Sequence, residues 1–334
     1  MSIQLVPRRH RESTGDGTDL GRSVHHRTQN GRRLWLLDHV FHLYGDGVRR
    51  TARLFVSAPC GMERARCLGQ YRLGGALLTG GLFMAAYIML YEHARWFSIP
   101  FVWWGWVLGF LLNDLAYYTD HRIAHRVGFF WAIHTSHHSS REMNLLVANR
   151  GTLLDLGGLM SPAYLVLPFL GVHPAMFLAC KFFANLWGIF NHTRLVRRMG
   201  VLEGILATPA NHRVHHGTEP KYLDKNYGQV LIIWDRLFGT WQPEEEEPTF
   251  GLVHQLDTYS VWDIQTSGAQ WLIGKVRTAP TLRDKLSYLI KPPGWSHDGH
   301  HETTEVLVAA ARTASPSRGN GDDFSGWPEM ADNR

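Results

Sequence analysis

The sequence predicts an all-α protein, an integral-membrane bundle of about four transmembrane helices carrying a cytoplasmic, histidine-rich helical cap. Three observations predict it. Apolar residues concentrate between Leu73 and Phe190 while both ends of the chain are polar. That apolar region divides into runs long enough to cross a hydrocarbon layer of about 30 Å at 1.5 Å per helical residue. Clusters of histidine stand just past the ends of these runs.

In chain order, residues 1–33 read as a disordered basic segment, with Gly15, Gly17, Gly21 and Asn30-Gly31 among scattered charges and no apolar period. No apolar core of a secretory signal is present there. Residues 34–72 read as an amphipathic, juxtamembrane region rich in arginine, including Arg49, Arg50, Arg64, Arg66 and Arg72. The formal net charge of +5 comes largely from these two segments. Arginines that lead into an apolar run without interleaved aromatics favour a membrane surface over nucleic acid, which is not an expected partner.

A catalytic domain is expected over 73–300, and a disordered tail over 301–334. Within the domain the first span is Leu73 to Tyr91. The second runs from Ile99-Pro100 to Tyr117-Tyr118, with Pro100 suited to a first helical turn and its tryptophans to a membrane interface. A third, Leu153 to Val172, is joined to a fourth, Pro174 to Phe190, by so short a link that the two form an antiparallel hairpin. Two hairpins return the chain to its starting side, which the arginine-rich N-terminus marks as cytoplasmic. Lys181, inside the fourth run, is assigned no role. Three cysteines at irregular spacing make neither a disulfide framework nor a zinc site, which suits a reducing compartment.

The chain has twenty histidines, about three times ordinary usage, and their placement is the informative feature. His121-Arg-Ile-Ala-His125 follows the second span, and its four-residue interval puts both rings on one helix face. His134-Thr-Ser-His137-His138 comes next. After the fourth span stand His192 and then His212-Arg-Val-His215-His216, which repeats the earlier spacing. The folding back of the spans delivers all nine rings to one place. Crowded imidazoles would repel if charged, so they call for a cation to share.

Nine nitrogen donors exceed what one ion accepts, so two ions with four or five ligands each is the natural count. Imidazole suits iron, copper, zinc and nickel alike, and the ligands do not choose among them. Asp114, Asp120, Asn191 and Asp224 are candidates to hold the ligating rings by hydrogen bonds, each of them equally able to serve as a helix cap. Two rivals remain at this point. A zinc hydrolase would place a glutamate where Arg122 stands, and a metal transporter or store would place ligands near the bilayer midplane.

From Asp114 to Trp241 the pattern resembles the fatty acid hydroxylase and sterol desaturase superfamily of membrane enzymes. Its most specific stretch holds His212-Arg213-Val214-His215-His216-Gly217, then Tyr222-Leu223-Asp224-Lys225-Asn226-Tyr227-Gly228 and Ile233-Trp234-Asp235-Arg236-Leu237-Phe238-Gly239-Thr240. His137-His138-Ser139-Ser140 with Glu142 and Asn144-Leu145, and the later Pro293-Gly294-Trp295, look most like the alkylglycerol monooxygenase branch. Asp120 and Met143 depart from the family pattern. The resemblance implies a di-iron site held by the nine histidines, dioxygen as oxidant and a lipid drawn from the bilayer; the apolar second and fourth spans are expected to guide its acyl or sterol body. With no His-Pro-Gly-Gly haem motif in the chain, electrons are expected from a separate donor, whether cytochrome b5, a ferredoxin or tetrahydrobiopterin.

Overall fold

Glycines and prolines decide where the helices of this chain begin and where they touch. The computed structural model describes residues 80–151 and 161–314. Among these it is helical with no strand, and only two isolated antiparallel bridges, Leu206 with Leu231 and Gly217 with Phe250, pair extended backbone. The expectations for 1–33 and 34–72, and for the start of the first span, lie outside the described residues.

Helix α1 covers 80–94. Helix α2, Trp103–Arg126, begins three residues later than Pro100, which instead accepts a hydrogen bond at its carbonyl from the Val102 amide at 2.9 Å. Gly105 is required there, because a Cβ would lie 2.0 Å from the Pro100 oxygen. The buried positions Gly105, Gly109, Asn113, Ala116, His121 and His125 recur at three- to five-residue intervals, so one face of α2 packs inward from end to end. That face continues from the apolar part into the histidines without a break.

Helix α3, Gly128–His138, follows after the single extended residue Val127. Helix α4, Pro174–Asn191, starts on a proline and is capped by His173 Nδ1, which accepts from the Ala175 amide at 3.1 Å. It meets α2 where the Met176 sulfur would stand 2.4 Å from a Cβ at Gly109. Phe83, Tyr87, Tyr164, Val172, Met176 and Phe177 form the core of this half. Tyr87 stacks on Phe177 with centroids 4.6 Å apart, and its hydroxyl donates to the Val172 carbonyl at 2.9 Å.

The third apolar run is not one helix. Its described part forms a short 3-10 helix, Pro162–Val166, and then turns through Pro168 and Gly171, the latter at φ 85°. Prolines remove the amide donors a continuous helix would need; residues 152–160 lie outside the described set. Among the described residues no helix is long and apolar enough to cross a membrane. Charged residues explain part of this, since α2 carries Asp114, Asp120, Arg122 and Arg126. Lys181 lies with its ammonium 4.0 Å from the centroid of the Tyr164 ring, a cation–π contact.

Short helix α5, Pro209–His215, brings the second H-x-x-H-H box back onto α2 and α4, and short helix α6, Ile233–Leu237, follows. Helices α7, Val261–Thr278, and α8, Leu282–Ile290, then pack on α3 around Ala132, Leu272 and Tyr288. The contact is backbone to backbone: a Cβ at Gly268 would lie 2.0 Å from the Ala132 oxygen, and one at Gly128 2.2 Å from the Tyr288 oxygen. The tail expected from residue 301 is corrected in its first part, because Thr304–Ala314 forms helix α9. Its Glu305 pairs with Arg126 of α2, an anchor that a reading of local composition does not reveal.

Candidate metal centre

Each histidine box sits at the end of a helix and therefore has its rings fixed by helical spacing. His121 and His125 occupy the last two turns of α2, and His134, His137 and His138 the end of α3. His192 follows the last residue of α4. His212 and His215 belong to α5, with His216 immediately after it. Thr208 starts α5 by accepting from the Asn211 amide at 3.4 Å, and Asn211 in turn donates to the Leu206 carbonyl at 3.1 Å.

The nine rings separate into two groups. One nitrogen each from His121, His125, His134, His138 and His215 lie within 4.8 Å of one another, and the same holds for His137, His192, His212 and His216. Helix geometry explains the division. In both H-x-x-H-H boxes the residues four apart share a group, His134 with His138 and His212 with His216, while the residue at i+3 crosses into the other group. The groups abut, with the His138 and His216 rings 4.4 Å apart and the His134 and His137 rings 5.2 Å apart.

Outward-facing nitrogens are tethered and inward-facing ones converge. His121 Nδ1 is 2.8 Å from the Tyr227 carbonyl, His215 Nδ1 2.9 Å from the Lys225 carbonyl, and His192 Nδ1 2.7 Å from the Gly188 carbonyl. A carbonyl only accepts, so each of these rings carries its proton on Nδ1 and turns a lone pair inward. The Nε2 atoms then meet at 3.0 to 3.2 Å, as in His212 with His192 and His121 with His134. Two ligands at right angles on an ion with bonds of about 2.1 Å would stand about 3.0 Å apart.

Electrostatics agree with neutral donors. Burial, and then the neighbouring His125 ring, push the His121 imidazole down to about 3, and burial takes His192 to about 4. Burial followed by crowding among the rings also holds His134, His137, His138, His212, His215 and His216 well below the ordinary histidine range. His215 Nε2 is buried with no hydrogen-bond partner. An orphaned buried acceptor costs about 1–3 kcal/mol, a cost that a bound cation removes. On these observations the residues present fit a pair of metal ions.

Of the four polar residues expected behind the rings, Asp224 alone reaches one. Its Oδ1 is 3.4 Å from His125 Nδ1 and its Oδ2 accepts from Arg126 at 3.0 Å. Burial opposes its ionisation, but the His125 hydrogen bond and the Arg126 charge hold its carboxyl below the usual range. The other three hold backbone instead. Asp114 accepts from the Val230 and Leu231 amides and from Trp234 Nε1 at 3.0 to 3.1 Å. Asp120 Oδ1 accepts from the Ala163 amide at 2.9 Å, and Asn191 donates to the Gln229 carbonyl at 3.0 Å. All three tie other segments of the chain to α2 and α4.

Two further residues matter, Asp235 and Arg213, which stand in the sequence motifs without an assigned role. Asp235 accepts from the Tyr227 and Gly228 amides, both at 2.8 Å, and so aims the Tyr227 carbonyl at His121. Arg213, 3% exposed between the rings of α5, donates to the Thr193 and Val196 carbonyls and to both Glu244 oxygens. Its signal in the sequence was the charged residue inside His212-Arg-Val-His215 followed by the acidic run at Glu244.

A chain whose described residues are helical and close nine imidazoles into two adjoining groups is, by fold and site, a protein built around a double histidine centre. Residues 106–240, which hold all nine, match the fatty acid hydroxylase family. It is similar to alkylglycerol monooxygenase of Danio rerio, 37% identical over 226 residues, which are 66% of this chain and 49% of that protein. The Homo sapiens alkylglycerol monooxygenase is 37% identical over 218 residues, 64% of this chain and 47% of that protein. Ornithine lipid hydroxylase of Rhizobium tropici is 31% identical over 135 residues, 40% of this chain and 41% of that protein. The chain spans about half the length of the alkylglycerol monooxygenases it matches. No solved structure matches it.

Proposed function

We propose that this chain is a membrane-embedded, di-iron oxidoreductase that uses dioxygen to hydroxylate or desaturate a C–H bond of a lipid. The observation that carries the reading is the division of nine imidazoles into groups of five and four, the number and type of donors that two ions need. His121, His125, His134, His138 and His215 would hold one ion, and His137, His192, His212 and His216 the other. When bound, such a pair supplies the redox chemistry that dioxygen activation requires, which no side chain in the site can provide.

The chain's own part is to position, exclude water and keep its donors neutral. Tyr227, Lys225 and Gly188 carbonyls hold the proton of three rings at Nδ1, so that Nε2 stays free to ligate. Helices α2 and α4 expose Trp103, Trp104, Val107, Phe182, Phe183 and Leu186, a surface suited to acyl chains rather than water. The arginine-rich segment before residue 73 supports a cytoplasmic position for the centre. The relatives are by name a monooxygenase of alkylglycerols and a hydroxylase of ornithine lipids, which supports a lipid as substrate. Electrons come from a separate donor of the cytochrome b5, ferredoxin or tetrahydrobiopterin kind.

The test is metal content and oxygen-dependent lipid oxidation by the full chain in a bilayer, with His137→Ala alongside. Two irons per chain and oxidation lost in the variant are expected. Activity that survives the substitution contradicts the reading.

A further inference from the structure

Two cavities touch the histidine centre, and they differ in chemistry. One, of about 390 Å³, borders His121, His134, His137 and His192, and the rest of its lining includes Asp120, Arg150, Lys181, Asn185 and Gln229. The other, of about 290 Å³, borders His125, His138 and His215 of the first group. Asp224, Lys275 and Glu302 also border it, and Trp131, Leu223, Leu252, Leu256, Trp271 and Leu307 give it walls that are mostly apolar. The last four of these lie beyond residue 240, outside the segment that matches the family.

We infer that this second, apolar cavity receives the hydrocarbon chain of the lipid, and that the segment 251–307 sets which chain lengths fit. The inference rests on the proposed lipid oxidation and adds to it the place of the chain and the source of selectivity. A hydrocarbon chain entering the polar cavity would displace water from Asp120, Lys181 and Gln229 without replacing its hydrogen bonds. In the apolar cavity each methylene taken from water contributes about fourfold in affinity. A chain lying there is beside three imidazoles of one group, within reach of the oxidising centre. The walls are set by packing. Gly268 brings α7 onto the backbone of α3, and Glu305 ties α9 to Arg126, so the cavity has a fixed floor and a fixed far side. Ser267 of α7 and Leu307 of α9 both line it, and they control its depth from two directions.

The experiment uses the full chain in bilayer discs and two probes, a sixteen-carbon fatty acid and a sixteen-carbon alkylglycerol, each with a diazirine near the methyl end. Illumination followed by peptide mapping is expected to label 251–256 and 292–307 with either head. Labelling confined to Tyr117, Ile133 and Ile189, which border the polar cavity, overturns the inference. Two variants then test the depth by competition with unlabelled chains of different length. Ser267→Trp is expected to weaken competition by the sixteen-carbon chain at least about tenfold and favour shorter ones, and Leu307→Ala to favour longer ones. Should Ser267→Trp fail to fold, Leu307→Ala on the outer helix still decides the question, and a length profile unchanged in the variants that fold overturns the assignment. Labelling needs no turnover. A labelled apolar cavity in a chain that oxidises no lipid therefore sinks the function and leaves the cavity assignment standing; oxidation with label elsewhere does the reverse.

Discussion

The two histidine groups hold the same kind of ligand by different means. In the second group His192 is fixed within its own helix, because its Nδ1 meets the Gly188 carbonyl four residues back. In the first group three rings are fixed from one distant segment: Asp224 faces His125, the Lys225 carbonyl His215, and the Tyr227 carbonyl His121. That segment is itself strained, with Asp224 at φ 57° and Asn226 at φ 55°. Asn226 is held there by donating to the Asn211 and Gln242 carbonyls. Three rings of the first group therefore depend on this one segment, and damage to it is expected to empty that position before the other.

The largest effect should follow from removing a ring. His215→Ala and His212→Ala each leave one group short and are expected to lower iron from two to about one per chain and abolish lipid oxidation; two irons retained in either variant would break the assignment to groups. Acid should act on both groups together. Imidazoles whose folded pKa lies below the unfolded value of about 6.5 favour the fold above that pH, and lose that contribution as pH falls toward the folded values. With His192 at about 4 and His121 at about 3, the window runs from about pH 6.5 down to about 3. The thermal midpoint of metal-free protein should fall steadily across it, and a midpoint flat between pH 7 and 4 would contradict the buried, neutral rings.

Arg213→Leu comes next. It leaves the Glu244 carboxylate, 11% exposed, without its partner, and a broken buried pair costs about 3–5 kcal/mol, read by denaturant unfolding. The effect on stability should exceed that on ligand geometry, because Arg213 binds the loop after His192 and not a ring. The finest distinction comes from Asp224→Asn, which keeps a side chain that tolerates positive φ but weakens the hold on His125. A loss of about 10–100-fold in metal affinity is expected at the first group alone. Titration that shows two equally weakened sites would mean the groups are not independently anchored.

Much of this was legible in the chain itself. Helical spacing alone puts residues four apart on one face, so the pairing of His134 with His138 and of His212 with His216 follows from the boxes as written. The count of nine rings, the helical class and the start of α4 on Pro174 were legible for equally local reasons. Asp224 was recognisable as a partner for a ring, but Asp114, Asp120 and Asn191 were not distinguishable from it by spacing. Each stands near a histidine in sequence, and the direction of a side chain around a helix end depends on what packs there.

What the sequence by itself determined is the chemistry: neutral nitrogen donors in boxes, on helices, at the ends of apolar runs. Only the tertiary structure decided that the i+3 rings cross between groups, which carbonyl meets which Nδ1, and that residues 304–314 form a helix tied to α2 instead of trailing away. The physical reason is range. Helix periodicity and capping act over about four residues, whereas the contacts of Tyr227 with His121 and of Asp114 with Val230 join positions more than a hundred residues apart and exist only once the core between them has formed.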